Sequence, residues 1–247
     1  MQFINLSERK ILVTGASSGI GRATAILLSQ LGATVVLCGR NGRELEITRS
    51  RMQNGDKHFV LPFDITHFQN YNELFCKAVT DGVKLTGLVH CAGITKVIPI
   101  KLLKKEDIDN IFNVNYNAFM YLVAYYVRKK YSSGGSIVGI SAINAHYPQK
   151  CMSVYAASKG ALEASIKTLA LELAPLKIRI NSVIPGAVAT PMTEFIDDEI
   201  LNKIEEKQLL GMEDAEQIAN VIAYLLSERS ASMTGRSVYA DGGVLGQ

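Results

Sequence analysis

The chain has 247 residues, 48% of them apolar and 20% charged, with a net charge of +3. That length can bury a substantial core, and the charge is too small to imply binding to nucleic acid. No apolar stretch reaches the roughly 20 residues of a membrane-spanning helix, and Glu8, Arg9 and Lys10 fall where a secretory leader would need its apolar run, so the expected location is cytoplasmic.

In chain order, the first candidate strand is Lys10–Thr14, followed by a helical pattern over 19–31. Thr34–Cys38 and a helix over 42–53 come next, then His58–Leu61 with 67–81, and Gly87–His90 with 105–130. Ser136–Ser141 precedes a helix over 153–174, and Arg179–Val183, a helix over 214–227 and Ser237–Ala240 complete the series. The early strands contain nearly continuous apolar runs, "ILV" and "VVL", as strands covered on both faces do. Alternating strand and helix imply an α/β fold with a parallel sheet and right-handed crossovers. No linker or shift in composition divides the chain, so residues 1–247 read as one domain. The segment 189–213 lacks a candidate strand and reads as one or two loose helices covering a site.

Cys38, Cys76, Cys91 and Cys151 form no C-x-x-C pair and have no histidines at ligand spacing, so they are expected to be reduced and structural, with no metal site. Arg128, Lys129 and Lys130 make only a short basic cluster, read as a solvated helix end.

The stretch "ILVTGASSGIGRATAILL" sets Gly15, Gly19 and Gly21 between a buried strand and an apolar helix, with Ser17, Ser18 and Ile20 in the same turn. Glycines there let the backbone approach a phosphate, and the helix N-terminus offers free N–H groups and partial positive charge. The position between the first strand and first helix of a repeated βα pattern is the context a dinucleotide site requires.

With its G-x-x-x-G-x-G spacing in "TGASSGIG", the sequence resembles the short-chain dehydrogenase/reductase family. "CAG" at 91–93, "NVN" at 113–115, "YAASK" at 155–159, "PGAVATPM" at 185–192 and "ADGG" at 240–243 carry the likeness across essentially the whole chain. The resemblance implies a doubly wound (Rossmann) sheet of seven strands flanked by helices, binding NAD or NADP. It also implies that Asp64, with Ile65 beside it, meets the adenine, that Ala92 and Gly93 lie along the ribose, and that Pro185, Gly186, Val188 and Thr190 hold the nicotinamide end. Cys91 stands where the family usually has asparagine.

The second strand ends "VVLCGRN", so Gly39 and Arg40 occupy the place where an acidic residue would select NAD. Arginine pairs bidentately with phosphate and stacks on adenine, which favours NADP(H) over NAD(H).

Tyr155 and Lys159 stand four apart on a helix and share a face. Reduction of a ketone leaves an alkoxide that must gain a proton, and a phenol with pKa near 10 needs help to exchange one at neutral pH. The Lys159 ammonium is expected to lower it. By resemblance, Lys159 also binds the nicotinamide ribose, and Asn115 holds a water that extends the proton path. The family's substrate-binding serine lies one position later than Ser141, at Ala142, 13 residues before Tyr155. Neighbouring strand residues face opposite sides, so two readings stay open. A bulge re-aims Ser141 into the site, or the hydroxyl is missing and Tyr155 acts alone or with a group such as Ser153 or Asn144.

The overall likeness is to 3-oxoacyl-carrier-protein reductases and to sugar or polyol dehydrogenases, which implies a small carbonyl or alcohol substrate. Where reductases of carrier-bound thioesters place basic residues, this chain has Ser133 and Leu176, with Lys130 and Lys177 close by. Asp197, Asp198, Glu199, Glu205 and Glu206 read as a solvated face. The helices 105–130 and 153–174 carry apolar residues on more than one face, and family members pair such helices, so a homotetramer is expected, with a homodimer next. A catalytically impaired dinucleotide sensor or assembly subunit is the competing function.

Overall fold

The computed structural model describes residues 3–193 and 207–244. Seven strands form one all-parallel sheet: β1 (Lys10–Thr14), β2 (Thr34–Gly39), β3 (Phe59–Pro62), β4 (Leu85–His90), β5 (Ser132–Ile140), β6 (Ile178–Pro185) and, last in the chain, β9 (Ser237–Ala240). Their order is β3-β2-β1-β4-β5-β6-β9. The helices are α1 (Gly19–Gln30), α2 (Gly42–Ser50), α3 (Tyr71–Ala78), α4 (Lys105–Phe112), α5 (Ala118–Tyr126), α6 (Ser153–Leu173) and α7 (Ala215–Leu226).

Alternation along each strand feeds two cores. From β1, Ile11 and Val13 join α1 and α7 on one face, while Leu12 joins α3, α5 and α6 on the other. All five β1 residues are buried, which is why the strand reads as an unbroken apolar run. Strand order reverses between β1 and β4, and such a reversal opens a crevice at the strands' carboxyl ends.

The structure departs from the sequence reading at several boundaries. The pattern over 105–130 is not one helix: a π-helical turn, Asn113–Asn117, separates α4 from α5. β5 starts at Ser132 and ends at Ile140, one residue short of Ser141. The segment 189–213 is not free of strand, because β7 (Val188–Ala189) pairs in parallel with β8 (Glu213–Asp214) and ties its two ends together. Two-residue strands are too short to show a period. The acidic cluster 197–206 lies outside the described residues, whereas Gln208 is buried and its side chain bonds both the N–H and the carbonyl of Ala187.

Candidate active site

The crevice begins where β1 turns into α1. Gly15 has φ 68°, and a Cβ there would lie 2.7 Å from the Ala92 nitrogen. A Cβ on Gly21 would lie 2.2 Å from the Gly15 carbonyl oxygen. The turn is therefore closed to any side chain at these positions. Ser18 precedes α1 in extended conformation, and its hydroxyl makes no capping bond. No acidic residue occupies the first turn of α1, so its N–H groups and positive end are left for an anion.

A cavity of about 250 Å³ opens over this turn. Its walls bring together Gly15, Ser17, Ser18, Gly19, Ile20, Gly21, Arg40, Asp64, Ile65, Cys91, Ala92, Gly93 and Thr190. Arg40 is exposed at the rim and makes no ion pair among the described residues. Glu44, the first acid after β2, is held 2.6 Å from Arg22. Burial pushes the Asp64 carboxyl up, but two bonds from Thr66, with His67 and Arg40 nearby, outweigh it and hold it below its ordinary value. A glycine cradle, an open helix N-terminus and a free guanidinium at the rim fit a dinucleotide phosphate group.

A second cavity, of about 190 Å³, adjoins the first across Ile20, Cys91, Gly93 and Thr190. Tyr155, Lys159, Pro185, Gly186 and Val188 line it. Tyr155 and Lys159 are one turn apart on α6, and both are buried. Lys159 Nζ donates to the Ile140 carbonyl at 2.7 Å and sits 5.8 Å from the centre of the Tyr155 ring.

Burial pushes the Tyr155 phenol up to about 12 and the Lys159 ammonium down to about 8. Desolvation disfavours both charged forms, and it alone accounts for the Tyr155 shift.

Asn115 lines neither cavity. It is fully buried behind Gly93, in the π-helical turn. Its Oδ1 accepts the Ile94 N–H at 2.9 Å, and its Nδ2 donates to the Ile94 carbonyl and the Ser158 hydroxyl, each at 3.0 Å. The side chain is engaged at both ends, so it fixes the loop after β4 that carries Gly93. π-turns of this kind recur at functional sites.

Ser141, left open between two readings, is among the residues that line the second cavity, but its hydroxyl is turned to other partners. Its N–H donates to the Val183 carbonyl at 2.8 Å, and Ala142 continues extended at φ −160°, ψ 149°. No bulge intervenes, so alternation carries the Ser141 hydroxyl to the α6 side, where it donates to Glu163 and approaches the Lys159 carbonyl at 3.5 Å.

Three residues that sequence reasoning passed over support the site. Ser158 donates to the Tyr155 carbonyl at 2.7 Å and accepts from Asn115. Glu163, at helical spacing from Lys159, reads as one more solvent-facing acid but is buried. His90, at the end of β4, contacts Thr14 Oγ1 at 3.0 Å, and burial and then Lys159 hold its imidazole neutral, with pKa down to about 3.

A nucleotide-sized cleft over a glycine turn at the switch point of a parallel sheet defines the doubly wound dinucleotide-binding proteins. Comparison with known proteins narrows the class. The pattern of the family described as enoyl-(acyl carrier protein) reductase matches residues 15–245. The 3-oxoacyl-(acyl-carrier-protein) reductase FabG of Thermotoga maritima is 34% identical, with 98% of this chain and 100% of that one aligned. Glucose 1-dehydrogenase of Gluconobacter oxydans is also 34% identical, over 96% of this chain and 91% of its own. A putative short-chain alcohol dehydrogenase from Sinorhizobium meliloti superposes with a TM-score of 0.92, at 28% identity and 98% coverage of both chains. The chain belongs to the short-chain dehydrogenase/reductase family of oxidoreductases.

Proposed function

We propose that the protein is an NADP(H)-dependent oxidoreductase that interconverts a small ketone and its secondary alcohol, with Tyr155 as general acid in reduction and general base in oxidation. The observation that carries this reading is the shared wall of the two cavities, which sets buried Tyr155 and Lys159 beside the cleft over the glycine turn. Bound in that cleft, the nicotinamide supplies or takes up the hydride. Gly15 and Gly19–Gly21 hold the pyrophosphate against the α1 N-terminus, and Asp64 and Ile65 flank the adenine. Cys91–Gly93 line the ribose, and Pro185, Gly186, Val188 and Thr190 face the nicotinamide end.

Selection of NADP(H) falls to Arg40. It is free of ion pairs among the described residues, and Glu44 is engaged by Arg22, so no carboxylate opposes a 2′-phosphate at the end of β2. A phenol with pKa near 12 is fully protonated at neutral pH, so Tyr155 is ready to protonate an alkoxide. Lys159 binds the nicotinamide ribose and stands where it can restore the proton, while Asn115 fixes the backbone alongside.

Substrate walls are mostly apolar. The Thermotoga relative is named a 3-oxoacyl-(acyl-carrier-protein) reductase; here Ser133 and Leu176 stand where such reductases are expected to place basic residues, with Lys130 and Lys177 close by. A free small ketone therefore suits this site better. Exposed Ile108, Tyr121 and Leu171 on α4, α5 and α6 support assembly through these helices, as a homotetramer or, failing that, a homodimer. No helix among the described residues is long and apolar enough to cross a membrane, and we place the enzyme in the cytoplasm.

One observation favours a second reading, a dinucleotide sensor without turnover: the Ser141 hydroxyl is engaged elsewhere and Ala142 offers only a methyl group. A panel of 3-oxoacyl thioesters, diketones, ketoses and steroids, followed by NADPH consumption, separates the two. Turnover of any member supports the enzyme. Tight NADPH binding with no turnover of any member supports the sensor.

A further inference from the structure

Ala142 faces the substrate cavity with a methyl group, so the donor that would share the substrate oxygen with Tyr155 must come from elsewhere. Two residues on, Asn144 lies in a 3₁₀ turn, Ile143–Ala145, and lines the same cavity as Tyr155. Its Nδ2 is buried and has no hydrogen-bond partner among the described residues. A buried amide that donates to nothing is costly and uncommon, and Asn144, a residue of the cavity wall, would meet that need by turning its amide to a ligand acceptor.

The turn is held from both sides. Glu163 accepts from the Ser141 hydroxyl before the turn, and its two oxygens lie 3.1 and 3.0 Å from His146 Nε2 after it. His146 is braced edge-on against Tyr239, with ring centroids 5.3 Å apart. Within the turn, the N–H groups of Ala145 and Tyr147 bond the carbonyls of Ala142 and Ile143 at 3.0 and 2.7 Å. One carboxyl group thus clamps both ends of the segment that carries Asn144, and such preorganisation is what an oxyanion-type donor needs. Around it, Ile143, Met152, Val188 and Met192 supply much of the wall, with the uncharged polar side chains of Thr95, Gln149 and Thr193 among them, and Lys159 is the one charged residue among the described lining.

Building on the oxidoreductase reading, we propose that Asn144 supplies the second hydrogen bond to the substrate oxygen, in place of the absent serine hydroxyl, and that the site takes uncharged, largely hydrocarbon ketones. Ser141 then serves as part of the Glu163 clamp. Glu163 is a positioning residue that acts through Asn144.

The test uses the full-length enzyme with NADPH and four probes: cyclohexanone, 2-octanone, ethyl acetoacetate and, as a polar comparator, D-fructose. The three less polar ketones are expected to be reduced in preference to D-fructose. Asn144→Ala is expected to lower kcat about 100- to 1000-fold, as loss of one such donor does, with KM changing far less. Its melting temperature and NADPH affinity, read from cofactor fluorescence, should match wild type. Adding Ala142→Ser to Asn144→Ala should restore most of the lost rate. Glu163→Gln should lower kcat in the wild-type background and have little effect in the Asn144→Ala background, because a residue acting through Asn144 has nothing left to position.

Ala142→Ser alone keeps Asn144 intact and is expected to raise kcat far less than the same change does in the Asn144→Ala background. A large gain from it would show the donor position vacant and overturn the proposal. Wild-type kcat in Asn144→Ala would overturn it as well, while leaving the oxidoreductase reading intact. A preference for D-fructose would overturn the substrate class. No turnover of any probe by wild type would remove the oxidoreductase reading and this proposal with it.

Discussion

Tyr155 and Lys159 share one low-dielectric pocket, and burial moves them in opposite directions, the phenol to about 12 and the ammonium to about 8. The two shifts predict how rate depends on pH. Ketone reduction should stay level through neutrality, since Tyr155 remains protonated, and fall above about pH 8 as Lys159 loses its proton. Alcohol oxidation needs the phenolate and should rise with pH over the range in which reduction is still flat. Initial rates in both directions from pH 6 to 10 check this, and a reduction rate that climbs through pH 8 would contradict it. Arg40 gives a separate residue-scale prediction. Charge-assisted hydrogen bonds contribute roughly 1.5–3 kcal/mol, so Arg40→Ala should weaken NADPH binding about 10- to 100-fold and leave NADH binding nearly unchanged. Titration of cofactor fluorescence reads both constants.

At the scale of elements, two structures hold the site's walls. The first is the π-helical turn 113–117, in which the Ala118 N–H bonds the Asn113 carbonyl and Asn115 is aimed inward onto Ile94 and Ser158. Asn115→Ala leaves buried partners unsatisfied and should cost about 1–3 kcal/mol, measurable by urea unfolding. The second is the β7–β8 pair. Burial raises Glu213 to about 7, Asp241 pushes the same way, and Glu213 Oε2 has no partner among the described residues. A carboxyl raised from 4.5 holds its proton longer in the folded protein than in the unfolded chain. Its favourable contribution is therefore complete below about pH 4.5 and is lost as pH rises through 7. Glu213→Gln should raise the melting temperature at pH 8 and leave it unchanged at pH 4.5, checked by thermal unfolding at both values. Neither element is legible in the sequence. The π-turn sits inside an unbroken helical pattern, and strands of two residues have no period to read. By contrast, β1 and β9 keep the bounds read from the sequence: β1 is buried on both faces and its apolar run marks it, whereas β9 is only partly covered, with Tyr239 exposed.

For the whole molecule, one sheet reversal between β1 and β4 generates both halves of the crevice. The cofactor half was written in local signals. Glycine alone tolerates the crowding at the tight turn, and Arg40 replaces an acid at a strand end. The substrate half depends on contacts distant in sequence. Alternation indicated that Ser141 would point away from Tyr155, but its union with Glu163 and His146 spans helix, strand end and turn, and no spacing encodes it. Assembly belongs to this scale too. If α4, α5 and α6 pair between copies, Leu171→Glu, which puts a charge on a side chain 79% exposed in the monomer, should shift the species seen by sedimentation towards monomer and leave the monomer folded.

The account depends most on proton exchange by Tyr155, and Tyr155→Phe, which removes one oxygen, tests it directly. With NADPH and whichever ketone the wild-type protein reduces, kcat should fall by at least the roughly 100- to 10,000-fold that a general acid supplies, while NADPH affinity stays at the wild-type value. A Tyr155→Phe protein that reduces the same ketone at the wild-type rate would contradict it.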